Sequence, residues 1–197
     1  CNLVTSFQHR NGIQIRCVQF KKRNMNRSLI ITTLLILISS FQIFGQSEHP
    51  EKFEYSEDGI NNYVVTKVEG KTIKDIYEKT DNWIKETYKN PDKVLKMKIE
   101  NEKVRINGIA SDLLFVKKMS FPLDYVIEIS IKEGRYKFDL ISLKTTESGT
   151  DYKKIPNFKT DKKLVKNFGE SPQRIEDYFN SLNESLKNYI LEKKKKD

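Results

Sequence analysis

The sequence predicts an α+β domain in which an antiparallel sheet of about five strands carries two helices on one face, in the order β-α-β-β-β-β-α. Three observations support this fold class. Apolar residues between Ile73 and Tyr88 recur at steps of three and four, which is typical of an amphipathic helix. Residues 125–140 alternate between apolar and polar side chains around a Gly-containing turn, which indicates a hairpin. A second helical stripe follows Ser171-Pro172.

The first helix has a clear start and stop. Residues 62–68 are rich in Val and Tyr and predict a strand that ends at Gly70. Thr72 then offers an N-cap, with Asp75 three residues later as its partner in a capping box. The Asn90-Pro91 pair ends the helical pattern. We expect Trp83 to pack between this helix and the sheet.

A switch in period marks the next strands. Apolar residues alternate with Lys96, Lys98 and Glu100, and residues 101–103 turn the chain into a second strand. Residues 113–116 continue that strand beyond Gly108, where the sequence predicts a bulge or a close approach.

The hairpin at residues 125–140 assigns side chains to two faces of the sheet. Its inward set is Ile127, Ile129, Ile131, Tyr136, Phe138 and Leu140. The opposite face is the candidate interaction face, and it is predicted to carry Lys96, Lys98, Arg105, Asn107, Glu128, Ser130, Lys132, Arg135, Lys137 and Asp139. Pairing of opposite charges across strands explains much of this set without any function. Val126, Ile141 and Leu143 are expected on the same face, where a loop or a partner must cover them.

The chain is predicted to divide into five parts. A basic start at Met25, an apolar run and a small residue at Gly45 are typical of a secretory signal peptide. The apolar run is about half the ~20 residues that a membrane-spanning helix needs, so no permanent anchor is expected after cleavage. The parts are an upstream, non-native extension (1–24), a signal peptide (25–45), a flexible leader (46–61), the α+β domain (62–192) and a basic tail (193–197).

Charge and cysteine content exclude several classes of function. Residues 1–45 hold six of the 36 basic residues and none of the 27 acidic ones, so the rest of the chain carries a net charge of only +3. Nucleic-acid binding requires a clustered excess of Lys and Arg and is not expected. Both cysteines, Cys1 and Cys17, precede the predicted signal peptide. The exported part is therefore expected to carry no disulfide, thiolate nucleophile or Cys-ligated metal. The sequence also has no nucleophile elbow, phosphate-binding Gly-rich loop, His-x-x-x-His spacing or EF-hand pattern, so no cofactor, metal site or catalytic residue is predicted.

The helix containing Tyr77 and Trp83, together with the hairpin Ile131-Lys132-Glu133-Gly134-Arg135-Tyr136-Lys137-Phe138, resembles an exported bacterial family, domain of unknown function 4468, which has a TBP-like fold. The likeness covers about residues 62–145. It implies a TBP-like fold and an envelope or secreted location, but it brings no known activity and no catalytic residues.

Two classes of function follow from the sequence. The favoured one is a non-enzymatic binding or interaction domain of the bacterial envelope, periplasmic or extracellular, which uses its open sheet face to bind a protein or a small ligand. The alternative is a small periplasmic or secreted enzyme with its site in the 147–171 loop, where Asp151, Tyr152 and Lys153 form a polar cluster. That loop shows little periodicity and is expected to be either functional or mobile. Carboxylate pairs such as Asp75 with Glu78 and Glu176 with Asp177 fall on helices, where caps and solvated faces explain them.

Overall fold

The structure is a computed structural model that describes residues 49–146 and 149–192. The predicted extension, signal peptide and basic tail lie outside these residues. The strands are β1 (Tyr55–Ser56), β2 (Gly59–Ile60), β3 (Tyr63–Lys67), β4 (Leu95–Ile99), β5 (Lys103–Val116), β6 (Met119–Lys132) and β7 (Arg135–Thr145). The helices are α1 (Ile73–Thr87), α2 (Pro91–Val94), α3 (Lys162–Phe168) and α4 (Ser171–Leu191), with a 3-10 turn at Tyr152–Lys154.

The predicted fold class is confirmed. Strands β3 to β7 form one antiparallel sheet in the order β3-β7-β6-β5-β4, and β1 pairs with β2 in a separate small hairpin. The inward side chains of the five-stranded sheet are buried with those of α1 and α4 in a single apolar core. All six hairpin residues predicted to point inward are buried.

Helix α1 begins where the sequence predicts. Thr72 accepts a hydrogen bond from the Asp75 backbone N–H, and the Asp75 side chain bonds back to the Thr72 N–H, which completes the capping box. The Ile73 N–H donates to the Glu133 carboxylate at 3.1 Å. Glu133 stands in the turn between β6 and β7, where Gly134 supplies a positive φ of 67°. The helix start and the hairpin turn are therefore tied together.

The expectation of a flexible leader over 46–61 is wrong for its second half. Phe53, Tyr55 and Ile60 are buried in the core. The Phe53 N–H donates to Asn180 Oδ1 at 2.7 Å, and the Tyr55 N–H donates to Glu176 Oε1 at 2.6 Å. Both acceptors lie on α4, so the domain begins before residue 62. The aromatic residues of this polar stretch find their burial only in the folded chain.

Residues 149–171 of the predicted loop are more ordered than the sequence predicts. They contain the 3-10 turn and α3, and Phe158 between these two elements is fully buried. The Phe158 ring packs edge-on against Tyr55 and Phe168, at centroid distances of 5.2 Å in both cases. Irregularly spaced aromatic residues, rather than helical or strand periodicity, hold this segment on the domain.

Among the described residues, no helix has the length and apolar character needed to cross a bilayer.

Trp83 joins the two long helices. Its side chain is 2% exposed, as the predicted burial requires, and its indole N–H donates to Ser185 Oγ of α4 at 3.1 Å. The ring also meets Tyr88 edge-on. The polar end of the ring is therefore bonded to the second helix rather than to the sheet.

Replacing Trp83 tests this contact. Trp83→Ala is expected to lower the free energy of unfolding by about 3–5 kcal/mol, because it leaves a large cavity between the helices. Ser185→Ala removes only the hydrogen-bond acceptor and is expected to cost about 1 kcal/mol. Urea unfolding followed by circular dichroism measures both values. Equal costs for the two variants would contradict a role dominated by packing.

Candidate functional site

Strand pairing defines which side chains share the open sheet face, the face opposite α1 and α4. Residues directly opposite each other in neighbouring strands point to the same side. One row across the sheet contains Tyr63, Asp139, Glu128 and Arg105 in register. The next contains Val65, Lys137, Ser130 and Lys103, and the last contains Lys67, Arg135 and Lys132. Most of the predicted interaction face is therefore present.

Lys98 does not lie on the open face, contrary to prediction. A bulge between Leu95 and Met97 shifts the register of β4, so that Lys98 pairs with the inward Val104. Its ammonium bonds Asp81 of α1 at 2.5 Å, and this bond raises the Lys98 pKa. Burial opposes ionisation of Asp81, but hydrogen bonds from Lys85 and Lys98 outweigh it and lower the Asp81 pKa.

The bulge in β4 and a second bulge in β7 also move other residues away from the faces predicted for them. Lys96 is the extra residue of the β4 bulge and is exposed, while Met97 and Ile99 turn to the open face. Ile141 is the extra residue of the bulge in β7, which restores Leu143 to the buried side. Of the three apolar residues predicted to need cover, Leu143 is thus in the core, Val126 is half-buried on the open face and Ile141 is 46% exposed.

The charged side chains of the first two rows of the open face are paired with opposite charges. Arg105 donates from Nε and Nη2 to Glu128 Oε2, at 2.9 and 2.5 Å. Lys103 lies 3.7 Å from the same carboxylate, and Lys137 bonds Asp139 at 2.8 Å. Cross-strand pairs of this kind stabilise a sheet by about 0.2–1 kcal/mol each. These residues need no ligand to explain them.

The last row is different, because three cations oppose one another. Lys132 is directly opposite Arg135, and Arg135 is directly opposite Lys67. None of the three forms a salt bridge within residues 49–146 and 149–192. Glu133, which follows Lys132 in the chain, accepts a hydrogen bond from the Ile73 N–H at the start of α1. Like charges directly opposite each other destabilise a sheet, so this row has no structural explanation.

A groove of about 440 Å³ borders this row, and we call it the cationic groove. It is lined by His49, Tyr63, Val65, Ser130, Lys132, Arg135, Tyr136 and Lys137. Lys137 Nζ lies 4.6 Å from the centroid of the Tyr63 ring, and the Tyr63 hydroxyl is 3.3 Å from His49 Nδ1. Besides Lys132 and Arg135, the groove is therefore lined by the Lys137 ammonium, which pairs with Asp139, and by the Tyr63 ring.

A wider cleft of about 920 Å³ is lined by residues of α2 and of strands β5, β6 and β7. Tyr88 and Tyr125 form part of its wall. Their hydroxyls are 3.0 Å apart, and the Tyr125 hydroxyl is 3.2 Å from the hydroxyl of Tyr178, so the three phenols form a hydrogen-bonded chain. Burial raises the pKa of all three phenols above their ordinary value, so they stay protonated. The chain is possible because Gly108 leaves room for the Tyr125 ring.

The polar cluster in the 147–171 segment has structural roles. Asp151 caps the 3-10 turn through the Lys153 N–H at 3.2 Å. Tyr152 is buried with its ring near Phe168. The Lys153 ammonium, also buried, donates to the Leu140 and Ile141 carbonyls at the β7 bulge, and burial lowers its pKa. The three side chains fasten this segment to the sheet.

The carboxylate pairs are structural too. Asp75 belongs to the capping box. Glu176 is buried, accepts the Tyr55 N–H and pairs with Lys159 at 2.9 Å. Within the described part of the chain, no group of three or more His, Cys, Asp or Glu side chains is arranged to hold a metal ion.

Sequence reasoning missed Lys67 and gave Tyr63 too little weight. Lys67 ends the first strand, and only its register with Arg135 brings it into the cationic row. Tyr63 stands half-buried on the open face, where it lines the cationic groove. The sequence does contain a signal for this placement. Side chains alternate along a strand, so Tyr63, Val65 and Lys67 face the side opposite to the buried Val64.

The sheet order and the helices on one face define the class of protein, an α+β domain with a TBP-like fold. Residues 63–146 match the family described as "Domain of unknown function (DUF4468) with TBP-like fold", which confirms the resemblance seen in the sequence.

Two solved structures are similar. A DUF4468 family protein from Bacteroides ovatus has a TM-score of 0.52 at 14% identity, covering 76% of this chain and 94% of its own. A TBP-like protein from Parabacteroides distasonis has a TM-score of 0.48 at 11% identity, covering 65% of this chain and 90% of its own. At such identity the first likeness shows the fold alone. No curated protein matches the chain significantly.

Gly108→Ala tests how the cleft wall is built. An added Cβ would overlap the Tyr125 ring, so the ring must move and the hydroxyl chain must break. We expect a loss of about 1–3 kcal/mol in unfolding free energy, as for other overpacked cores.

Asn107→Ala, one residue away on the exposed face, is the matched control and is expected to change little. In a Tyr125→Ala background the added cost of Gly108→Ala should nearly vanish. An equal cost in both backgrounds would show that backbone effects, not the ring contact, make alanine unfavourable there.

Proposed function

We propose that this protein is an exported, non-enzymatic binding domain of the bacterial envelope, and that its open sheet face binds an anionic group of a protein or small-ligand partner in the cationic groove. The row of Lys67, Arg135 and Lys132 carries the proposal. Repulsion between these residues costs stability, and none of the three forms a salt bridge with another described residue. A bound anion would offset this repulsion through charge-assisted hydrogen bonds.

The groove supplies the chemistry for such an anion. The Arg135 guanidinium offers a planar pair of donors that suits a carboxylate or phosphate, and the Lys132 ammonium adds a second charge. Val65 and the Tyr63 ring give an apolar and aromatic surface beside them. An anion attached to a ring or a hydrocarbon body fits this combination.

Binding and stability should change in opposite directions if the cationic row is functional. Titration with inorganic pyrophosphate, followed by NMR chemical shifts, is expected to give saturable shifts at residues 63–67 and 130–137. Lys132→Ala combined with Arg135→Ala should weaken this binding by at least about tenfold per charged hydrogen bond lost. The same change should raise the unfolding free energy by about 0.2–1 kcal/mol, because like charges are removed.

Lys74→Ala combined with Lys187→Ala is the matched control. It removes two positive charges from the helices, where each lysine pairs with a glutamate on its own helix. Pyrophosphate affinity should be unchanged in this variant. An equal loss of affinity in both double variants would reduce the binding to general electrostatics and contradict the proposed groove.

The proposed export is tested by locating the protein in the cell and by finding where its signal peptide is cleaved. The apolar run ending near Gly45 supports cleavage there, which leaves Gln46 or Ser47 as the first residue. Expression in a Bacteroides-type host with fractionation is expected to place the protein in the periplasm or medium. Mass spectrometry of its N-terminal peptide measures the cleavage point. A mature protein that retains Cys17 or Met25 would contradict the signal-peptide assignment.

A further inference from the structure

The turn between β5 and β6 has an unusual composition for its geometry. It consists of Lys117 and Lys118, whose φ angles are 47° and 75°, between the paired residues Val116 and Met119. Two-residue turns with positive φ at both positions strongly favour Asn and Gly. Lysine at both positions is sterically unfavourable, and such strain concentrates at functional sites. The Lys117 N–H donates to the Asn167 carbonyl at 3.1 Å, which holds the turn beside α3.

A cavity of about 590 Å³ lies beside this turn and gathers cations from three elements. Lys117 and Lys118 come from the hairpin, Lys166 from α3 and Arg174 from α4. Glu170 is the acid in its lining, and it pairs with Arg174 at 3.3 Å. The three lysines make no salt bridge within the described residues.

Exposed apolar side chains stand next to these cations. Met119 follows the turn and is 61% exposed, and Val165 precedes Lys166 and is 42% exposed. Val165 shares the outer side of α3 with Lys162 and Lys166, by helical spacing. Leu164 and Phe168 on the same helix pack against the core instead. The outer side of α3 is therefore both basic and apolar.

We propose that this end of the domain docks on the surface of a membrane that contains anionic phospholipid. We call it the basic tip, and it comprises Lys117, Lys118, Met119, Lys162, Lys163, Val165, Lys166 and Arg174. Surface-binding elements combine Lys and Arg with exposed apolar side chains in this way, so that the cations meet the headgroups while the apolar groups enter the interface. The cavity beside the turn receives a lipid phosphate, to which Arg174 and the lysines donate.

The balance of charge at the basic tip supports this occupant. It has six cations, and three acids lie near them. Asp112 accepts a hydrogen bond from Ser120 Oγ at 3.0 Å. Asp161 accepts from the Lys163 and Leu164 N–H groups at the start of α3, and Glu170 pairs with Arg174. The surface therefore presents a net excess of positive charge beside apolar groups, which complements an anionic bilayer and not a neutral one.

The basic tip is independent of the proposed function. The turn at Lys117-Lys118 precedes β6, and the turn at Glu133-Gly134 follows it, so the two sites lie at opposite ends of this strand of 14 residues. A domain docked by the basic tip would keep the cationic groove away from the bilayer. Failure of either proposal therefore leaves the other standing.

Co-sedimentation with lipid vesicles tests the proposal on the purified protein. One series of vesicles contains phosphatidylcholine alone, and the other contains phosphatidylglycerol as well. We expect binding only to the second series, and binding that weakens as salt is raised. Lys117→Asn combined with Lys118→Gly removes two charges and installs the residues that the turn prefers, so the fold is retained. Its vesicle affinity should fall about 25-fold, since each basic residue at an anionic surface contributes about fivefold.

Two controls complete the test. Lys132→Ala with Arg135→Ala removes the same charge from the cationic groove and should leave vesicle affinity unchanged. Met119→Ser should weaken binding even at high salt, where the apolar contribution dominates. Equal binding to both vesicle series, an equal loss in the groove variant, or saturable binding of inorganic phosphate without any vesicle binding would each overturn the proposal.

Discussion

The antiparallel pairing of β6 with β5 and β7 is the constraint on which the rest of the structure depends. Side chains alternate along each strand, so one residue of register decides whether a side chain enters the core or faces solvent. Ile127, Ile129 and Ile131 fix that choice for β6, because all three are buried against the helices. Because side chains alternate, the residues of β6 between these positions then face the open side of the sheet. The register places the residues opposite them in β5 and β7 on the same side.

This constraint explains why the hairpin was predictable and its surroundings were not. Alternation within β6 and β7 is local, and the turn at Glu133-Gly134 sets the register between them, so the inward and outward sets could be read directly from the sequence. A β-bulge interrupts this alternation, because its extra residue changes the face on which the following side chains lie. The extra residue at Ile141 returns Leu143 to the core, and the β4 bulge sends Lys98 to Asp81 on α1. Both depend on partners distant in sequence, and nothing local marks them.

The order of residues 53–60 and 149–171 could not be predicted, for a related reason. Phe53, Tyr55 and Phe158 carry no periodicity, so their stretches resembled leader and loop. Each of these rings is nevertheless buried by contacts with other parts of the chain, and the Glu176 carboxylate holds the Tyr55 backbone. Burial of single aromatic residues stabilises irregular segments well, because each ring removes a large apolar area from water. Pattern-based reading detects repeated residues and overlooks such isolated ones.

The charged residues of the sheet fall into two groups, according to whether the facing residues on the neighbouring strand carry the opposite charge or the same charge. Register places Arg105 directly opposite Glu128, and Lys103 reaches the same carboxylate diagonally, so pairing of opposite charges accounts for these residues. Where register places Lys132 against Arg135 and Arg135 against Lys67, the same geometry produces repulsion, and the composition works against stability. The strained lysine turn at the other end of β6 follows the same logic, since Asn and Gly would hold that turn at lower cost. Sequence can name the cations, but only the register and the backbone angles show which of them the fold does not need. Those are the positions where a requirement other than folding best explains the residue, and they lie at the two ends of one strand.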